Sequence, residues 1–277
     1  MALPSFGRAD DAGHRVEAFP LGSVDWSSGR VQAIGQSMAS KKDFGKTADP
    51  QLVLAAARAV ADRNLLETLK AVRVNTDLSV GQAAERQPAI MENLQTMIVA
   101  LETTKKAYLS DGTVQITLQM PLYGGFSQLI LPPEIQQIEP IRPVAAHAGR
   151  PDVGDGATTG KPNSHEVFTG LVVDARGMPF RPAMVVQIED ENGKPVYGPA
   201  FVSREHAVQS GICGFYETLD GARQDRRVQG RPLTVKGLRL NEGAPAVVIS
   251  NADAAKLRSS GEHLAFLRQC RVVMVLE

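Results

Sequence analysis

PPEIQQIEPIRPVAAHAGRPDVGDGATTGKPNSH, residues 132–165, is the stretch on which the fold turns. Proline and glycine recur through it, and its apolar residues follow neither the helical period nor strand alternation. A run this long without a period reads as an inter-domain linker or an extended arm. It predicts a chain in two domains: an arm over residues 1–20, a first domain over 21–131, the linker over 132–165 and a second domain over 166–277. Both flanking segments are long enough to bury a core of their own.

On the N-terminal side, VDWSSGRVQAIGQ (24–36) holds two β-like runs joined by Ser27-Ser28-Gly29, a hairpin pattern. Asp49-Pro50 then opens a helix, with Asp as cap and Pro at the first helical position. The helix is expected to run to about Val74. Leu54, Ala57, Ala61, Leu65, Leu69 and Val72 recur at three- and four-residue steps, so they share one face. The alanines at 55–57 and 59 leave room for a close neighbour. Arg58/Asp62 and Arg63/Glu67 are each four apart, which suits solvated ion pairs. A second helix is predicted from Pro88, with Ile90, Met91, Leu94, Met97, Ile98 and Leu101 on its apolar stripe. TKKAYLSDGTVQITLQMPL (104–122) then forms a hairpin with its turn at Ser110-Asp111-Gly112. The order β-β-α-α-β-β predicts a small antiparallel sheet with two helices on one face, an α+β domain.

On the C-terminal side, strand-like runs fall at 169–175, 183–190, 194–198, 233–240, 245–250 and 271–276, and helical patterns at 203–210, 216–224 and 252–268. This is a second α+β domain, too broken by strands for a doubly wound sheet. In the final run, RVVMVLE, both faces are apolar, which predicts a central strand.

Composition excludes several functions. Lys plus Arg is 30 and Asp plus Glu is 30, so there is no basic excess to hold nucleic acid. No apolar run reaches the roughly 18 residues of a membrane span. MALPSFGRADDAGHR, at the start, has no long apolar core and is not read as an intact signal peptide.

GSVDWSSGRVQAIG, AARAVADRNLLETLKAVRV and YLSDGTVQITLQMPLYG, in that order, resemble the bacterial envelope-lipoprotein family that includes flagellar basal-disk and outer-ring-associated proteins. The resemblance covers about residues 21–131. TGLVVDARG, the DENG hairpin, VSREHAV and VVISNADAAKL resemble a segment that follows that domain in longer members. It implies a secreted protein without catalytic activity that builds or supports rings around appendages. No lipid-attachment cysteine stands near the N-terminus, and nothing in the chain names a flagellum.

Four residues are candidates for chemistry: Asp174, Arg176, Cys213 and Cys270. Asp174 and Arg176 end the apolar run Leu171-Val172-Val173 just before Gly177 and Pro179, a pattern shared by many active sites. No histidine, cysteine or serine with a base is signalled beside them, so the pair is read as a brace at the strand's end. Cys213 and Cys270 lack CxxC spacing and suggest no zinc site. Buried thiols, a disulfide and a nucleophile all stay open for them. No histidine sits in a ligand motif, and the DENG turn lacks the further carboxylates of a calcium loop. The expectation is therefore no catalytic site, cofactor or metal. The chain is expected to be a homo-oligomeric structural protein of the periplasm, the outer membrane's surface or the exterior of a bacterium, contacting itself and other envelope or appendage proteins. The alternative is a periplasmic module that binds a glycan or a partner protein.

Overall fold

A computed structural model describes residues 13–38, 49–135, 167–241 and 246–277. Residues 136–165 of the expected linker and most of the expected arm lie outside these.

The first domain is built from β1 (Val16–Phe19), β2 (Gly22–Asp25), β3 (Arg30–Met38), α1 (Pro50–Ala71), α2 (Val80–Arg86), α3 (Ala89–Val99), β4 (Lys105–Tyr108), β5 (Thr113–Pro121) and α4 (Gly125–Ile130). Its five strands form an antiparallel sheet in the order β1-β2-β3-β5-β4. Val31, Ala33 and Gly35 on β3 and Val114, Ile116, Leu118 and Met120 on β5 turn inward, and α1 lies across them. The alanine face serves the close approach its composition suggested. A Cβ at Gly35 would sit 2.2 Å from both the Ala57 carbonyl oxygen and the Ala61 nitrogen.

Several features depart from the expectation, the short helix α4 after β5 among them. β1 occupies the end of the predicted arm. α1 stops at Ala71, and Val72–Val74 run on extended. Ser79 and Gln82 cap a helix, α2, that the apolar pattern did not show, each side chain bonding the other's backbone nitrogen. Arg58 does pair with Asp62, its Nε 2.7 Å from Oδ1, but its Nη2 also donates to the last carbonyls of the α3 region, Ile98 and Leu101. It is thus a structural cross-link. Glu67 pairs with Lys70, not with Arg63.

The second domain comprises β6 (Leu171–Asp174), β7 (Ile188–Asp190), β8 (Pro195–Tyr197), α5 (Arg204–Ser210), β9 (Gly214–Tyr216), α6 (Leu219–Gln224), β10 (Leu233–Leu240), β11 (Val247–Ile249), α7 (Asn251–Arg258), α8 (Gly261–Arg268) and β12 (Val272–Val275). Its sheet runs β8-β7-β11-β10-β6-β12-β9. β10, β6, β12 and β9 are mutually parallel, as are β11 and β7, and antiparallel pairs join β10 to β11 and β7 to β8. β12 lies between β6 and β9 with all four residues buried, which is what an all-apolar strand requires. The helix expected over 252–268 is two, because Ser259 ends α7 and Ser260 caps α8. Its start is capped by Ser250, with Asn251 the first helical residue. Of the helix expected over 216–224, Tyr216 instead ends the edge strand β9, and the helix, α6, begins at Leu219.

Both domains are α+β, and their apolar side chains meet in one continuous core at the junction. Trp26 lies edge-on to Phe215, with 5.8 Å between ring centroids, and the Ser27 hydroxyl donates to the Phe215 carbonyl. Arg73 donates from Nε to the Pro182 carbonyl and from Nη2 to Glu17, which also accepts from Trp26 Nε1.

Candidate functional site

The four residues weighed for chemistry fall into two places. Asp174 ends β6 and accepts both Arg176 Nε (2.8 Å) and Nη2 (2.7 Å), with the Arg176 backbone nitrogen 3.3 Å from Oδ1. Hydrogen bonding from Arg176 holds the Asp174 carboxyl below its ordinary value. The guanidinium is 40% exposed, so the pair is a surface brace over the turn at Gly177. Lys236 and Glu277 also act on it through charge, each favouring the ionised pair, and neither is a hydrogen-bonded base.

Cys213 precedes β9, Cys270 precedes β12, and both are buried without a disulfide. Burial raises each thiol to about 12. The Tyr197 hydroxyl nearby donates 2.6 Å to the Ile212 carbonyl, which fixes the floor of this region. A thiol held so far above neutrality, with no base against it, is a packing group.

A second Asp-x-Arg pair, Asp225 and Arg227, which no sequence motif singled out, lies in the connection after α6. It repeats the turn of Asp174 and Arg176, with Asp225 Oδ1 accepting the Arg227 backbone nitrogen at 2.8 Å, but its surroundings are the opposite. The side chains are only 10% and 11% exposed, and Arg227 Nε is 3.2 Å from Asp225 Oδ2. Gly214 makes this possible, since a Cβ there would come within 3.2 Å of the guanidinium. Tyr123 reaches it from the first domain, its hydroxyl 3.5 Å from Arg227 Nη2. The Tyr123 ring is held between Gly29 of the first domain and Gly211 of the second, each at positive φ, where a Cβ would overlap it. Burial raises the Tyr123 hydroxyl above its ordinary value. Nε and Nη1 of Arg227 are buried without a hydrogen-bond partner among the described residues. A hollow lined by Tyr123, Gly211 and Cys213 measures about 10 Å³, room for a single water. The cluster ties the domains together. The spacing repeat D-x-R was the only signal in the sequence; burial was not encoded locally.

The large concavity lies elsewhere. A groove of about 780 Å³ runs between the 75–77 loop and the 132–134 segment of the first domain and the 185–189 and 194–201 segments of the second. Asn75 shapes its first wall: Oδ1 accepts the backbone nitrogens of Asp77 and Leu78 and folds the loop over α2. Backbone bonds from Met184 and Val185 to the Arg73 and Val74 carbonyls clamp the two walls together. Pro132, Pro195, Pro199 and Phe201 supply apolar surface, and Asp77, Glu134, Glu189 and Lys194 supply charge.

Residues 170–277 match the family described as Treponema pallidum Tp0624, second domain. The match begins one residue before β6 and takes in the whole seven-stranded sheet, both Asp-x-Arg pairs and both cysteines. It fits a bacterial origin. The first-domain wall of the groove and Tyr123 lie outside it. No curated protein matches the chain.

Among the described residues, no group of three or more histidine, cysteine, aspartate or glutamate side chains could hold a metal ion. No helix there is long and apolar enough to cross a membrane.

Proposed function

We propose that this chain is a non-catalytic structural protein of the bacterial envelope that works by assembling with copies of itself, in or around an appendage such as the flagellum. The observation that carries the reading is the first domain's sheet, open at both ends. Among the described residues, β1 at one edge and β4 at the other have no strand beyond them. Apolar side chains mark each edge: Val16 and Leu21 at the first, Tyr108 (72% exposed) and Leu109 at the second. Two different open edges favour head-to-tail contact, which closes into a ring when the rotation allows. The resemblance over residues 21–131 to envelope lipoproteins, and the bacterial family matched by residues 170–277, support the same setting. The test is the mass in solution by light scattering. A mass several times that of the chain, reduced to one chain by Val16→Glu with Tyr108→Glu, is expected. A monomer at high micromolar concentration rules the reading out.

The groove supports a second reading, a module that binds a partner across the two domains. Its volume lies within the range of about 300–1,000 Å³ seen for binding clefts, and it sits between domains, where such clefts concentrate.

A further inference from the structure

We infer that the groove between the 75–77 loop and the β7–β8 hairpin receives an extended basic peptide segment of a partner protein. This deepens the second reading above and rests on it.

Charge is the first argument. Three carboxylates line the groove, Asp77, Glu134 and Glu189, against one ammonium, Lys194. Asp77 and Glu134 are exposed on the first-domain wall and make no ion pair among the described residues. Glu189, on the opposite wall, is half-buried and accepts from Asn241 Nδ2 at 2.7 Å. Arg204 Nη1 donates to the Pro132 carbonyl beside the first wall and Glu189 is braced on the other, so the residues lining the shared space still carry more negative than positive charge. Such a cleft concentrates cations and repels phosphate and carboxylate, which disfavours nucleic acid, anionic lipid and acidic peptides.

The surface between the charges is the second argument. Pro132, Pro195, Pro199 and Phe201 present apolar area and, at the three prolines, no backbone N–H. That suits aliphatic side chains set between the basic ones. A sugar ring would want an open aromatic face, but the Tyr197 ring is buried and only Phe201 among the lining residues is an accessible ring. β8 is the outermost strand of its sheet, which allows an extended segment to lie beside it. Arg258 already occupies the Lys194 and Pro195 carbonyls, so the carboxylates, more than the strand edge, carry recognition.

The experiment uses the full chain and two fluorescent pentapeptides, one alternating lysine and valine and one alternating glutamate and valine, followed by anisotropy, with chitotriose titrated separately by calorimetry. The lysine peptide is expected to bind saturably and to weaken in about 0.5 M salt, while the glutamate peptide does not bind. Asp77→Lys with Glu134→Lys should weaken the lysine peptide by about tenfold or more. The melting temperature should hold, because neither side chain has an ion-pair partner among the described residues. Glu85→Lys with Glu102→Lys, the same charge change outside the groove, should leave affinity unaltered. Equal affinity for both peptides, or an unchanged affinity in the groove variant, overturns the inference. Binding of chitotriose with neither peptide bound overturns the peptide assignment and keeps the groove as a binding site. No binding of any of the three overturns both.

Discussion

Asp190 does at the end of β7 what Asp174 does at the end of β6, but with its carboxylate enclosed. Its side chain is 4% exposed, Oδ2 accepts Arg258 Nη1 at 2.8 Å, and Oδ1 accepts the backbone nitrogens of Asn192 and Lys194. The DENG motif is thus a hairpin turn held by its first residue. The bond from Arg258 holds the carboxyl below the ordinary carboxylate range, against the opposing effect of burial. A depressed carboxyl stabilises the fold fully above the unfolded-state value of about 3.9 and loses that contribution as pH falls through the folded-state value. Asp190→Asn should therefore lower the melting temperature at pH 7, and its gap to the wild type should close as pH drops below about 4. A gap constant with pH would show that Arg258 does not act on the charge. Asp174 is braced by a guanidinium open to water, so Asp174→Asn should cost no more than about 1 kcal/mol. The cysteines give a chemical test at the same scale. With both thiols near 12, about one in ten thousand is ionised at pH 8, so iodoacetamide should label neither until denaturant is added. Rapid labelling of either in the folded protein would return it to the list of nucleophiles.

At the scale of elements, the helix α1 and the strand β3 show how a pattern becomes a contact. The three- and four-residue steps of α1 bring Ala57, Ala61, Leu65 and Leu69 to one buried face, and Gly35 is where the sheet meets it. Gly35→Ala would place a methyl carbon 2.2 Å from main-chain atoms that cannot move without moving the helix. The expected loss is about 3 kcal/mol or more by chemical denaturation. A loss below about 1 kcal/mol would mean the helix can lift from the sheet without strain. These elements were legible because their periods are long and their caps are local: Asp49-Pro50, Ser110-Asp111-Gly112 and the alternation of β5 all stand in the chain as read. Some elements of three to seven residues were not, although β6, β8, α5, β11 and β12, equally short, fall within the runs the sequence shows. α2 has a capping box and little apolar stripe, and β9 is three residues whose strand state comes from pairing with β12. The split of α7 from α8 turns on two serines inside a continuous helical pattern, one ending the first helix and the other capping the second.

At the scale of the whole molecule, the question is whether the domains act as one. Trp26 is the sole tryptophan, 3% exposed, and lies at the junction against Phe215. Glu17, Arg73 and Pro182 extend the same contact, and Tyr123 with Arg227 forms a second one. With a core shared across that surface, Trp26 fluorescence and far-ultraviolet circular dichroism should report the same thermal midpoint. A red shift in fluorescence before any loss of dichroism would show the domains parting first. The sequence by itself determined the two α+β domains, the long helix on its sheet, the central apolar strand and the turn at Asp174, because each depends on neighbours within a few residues or on a strict period. The tertiary structure alone decided the junction and the groove. Tyr123 and Arg227 are 104 positions apart, and the groove's walls come from four separate segments, so their proximity is set by how two sheets and their connections pack and by no pattern along the chain.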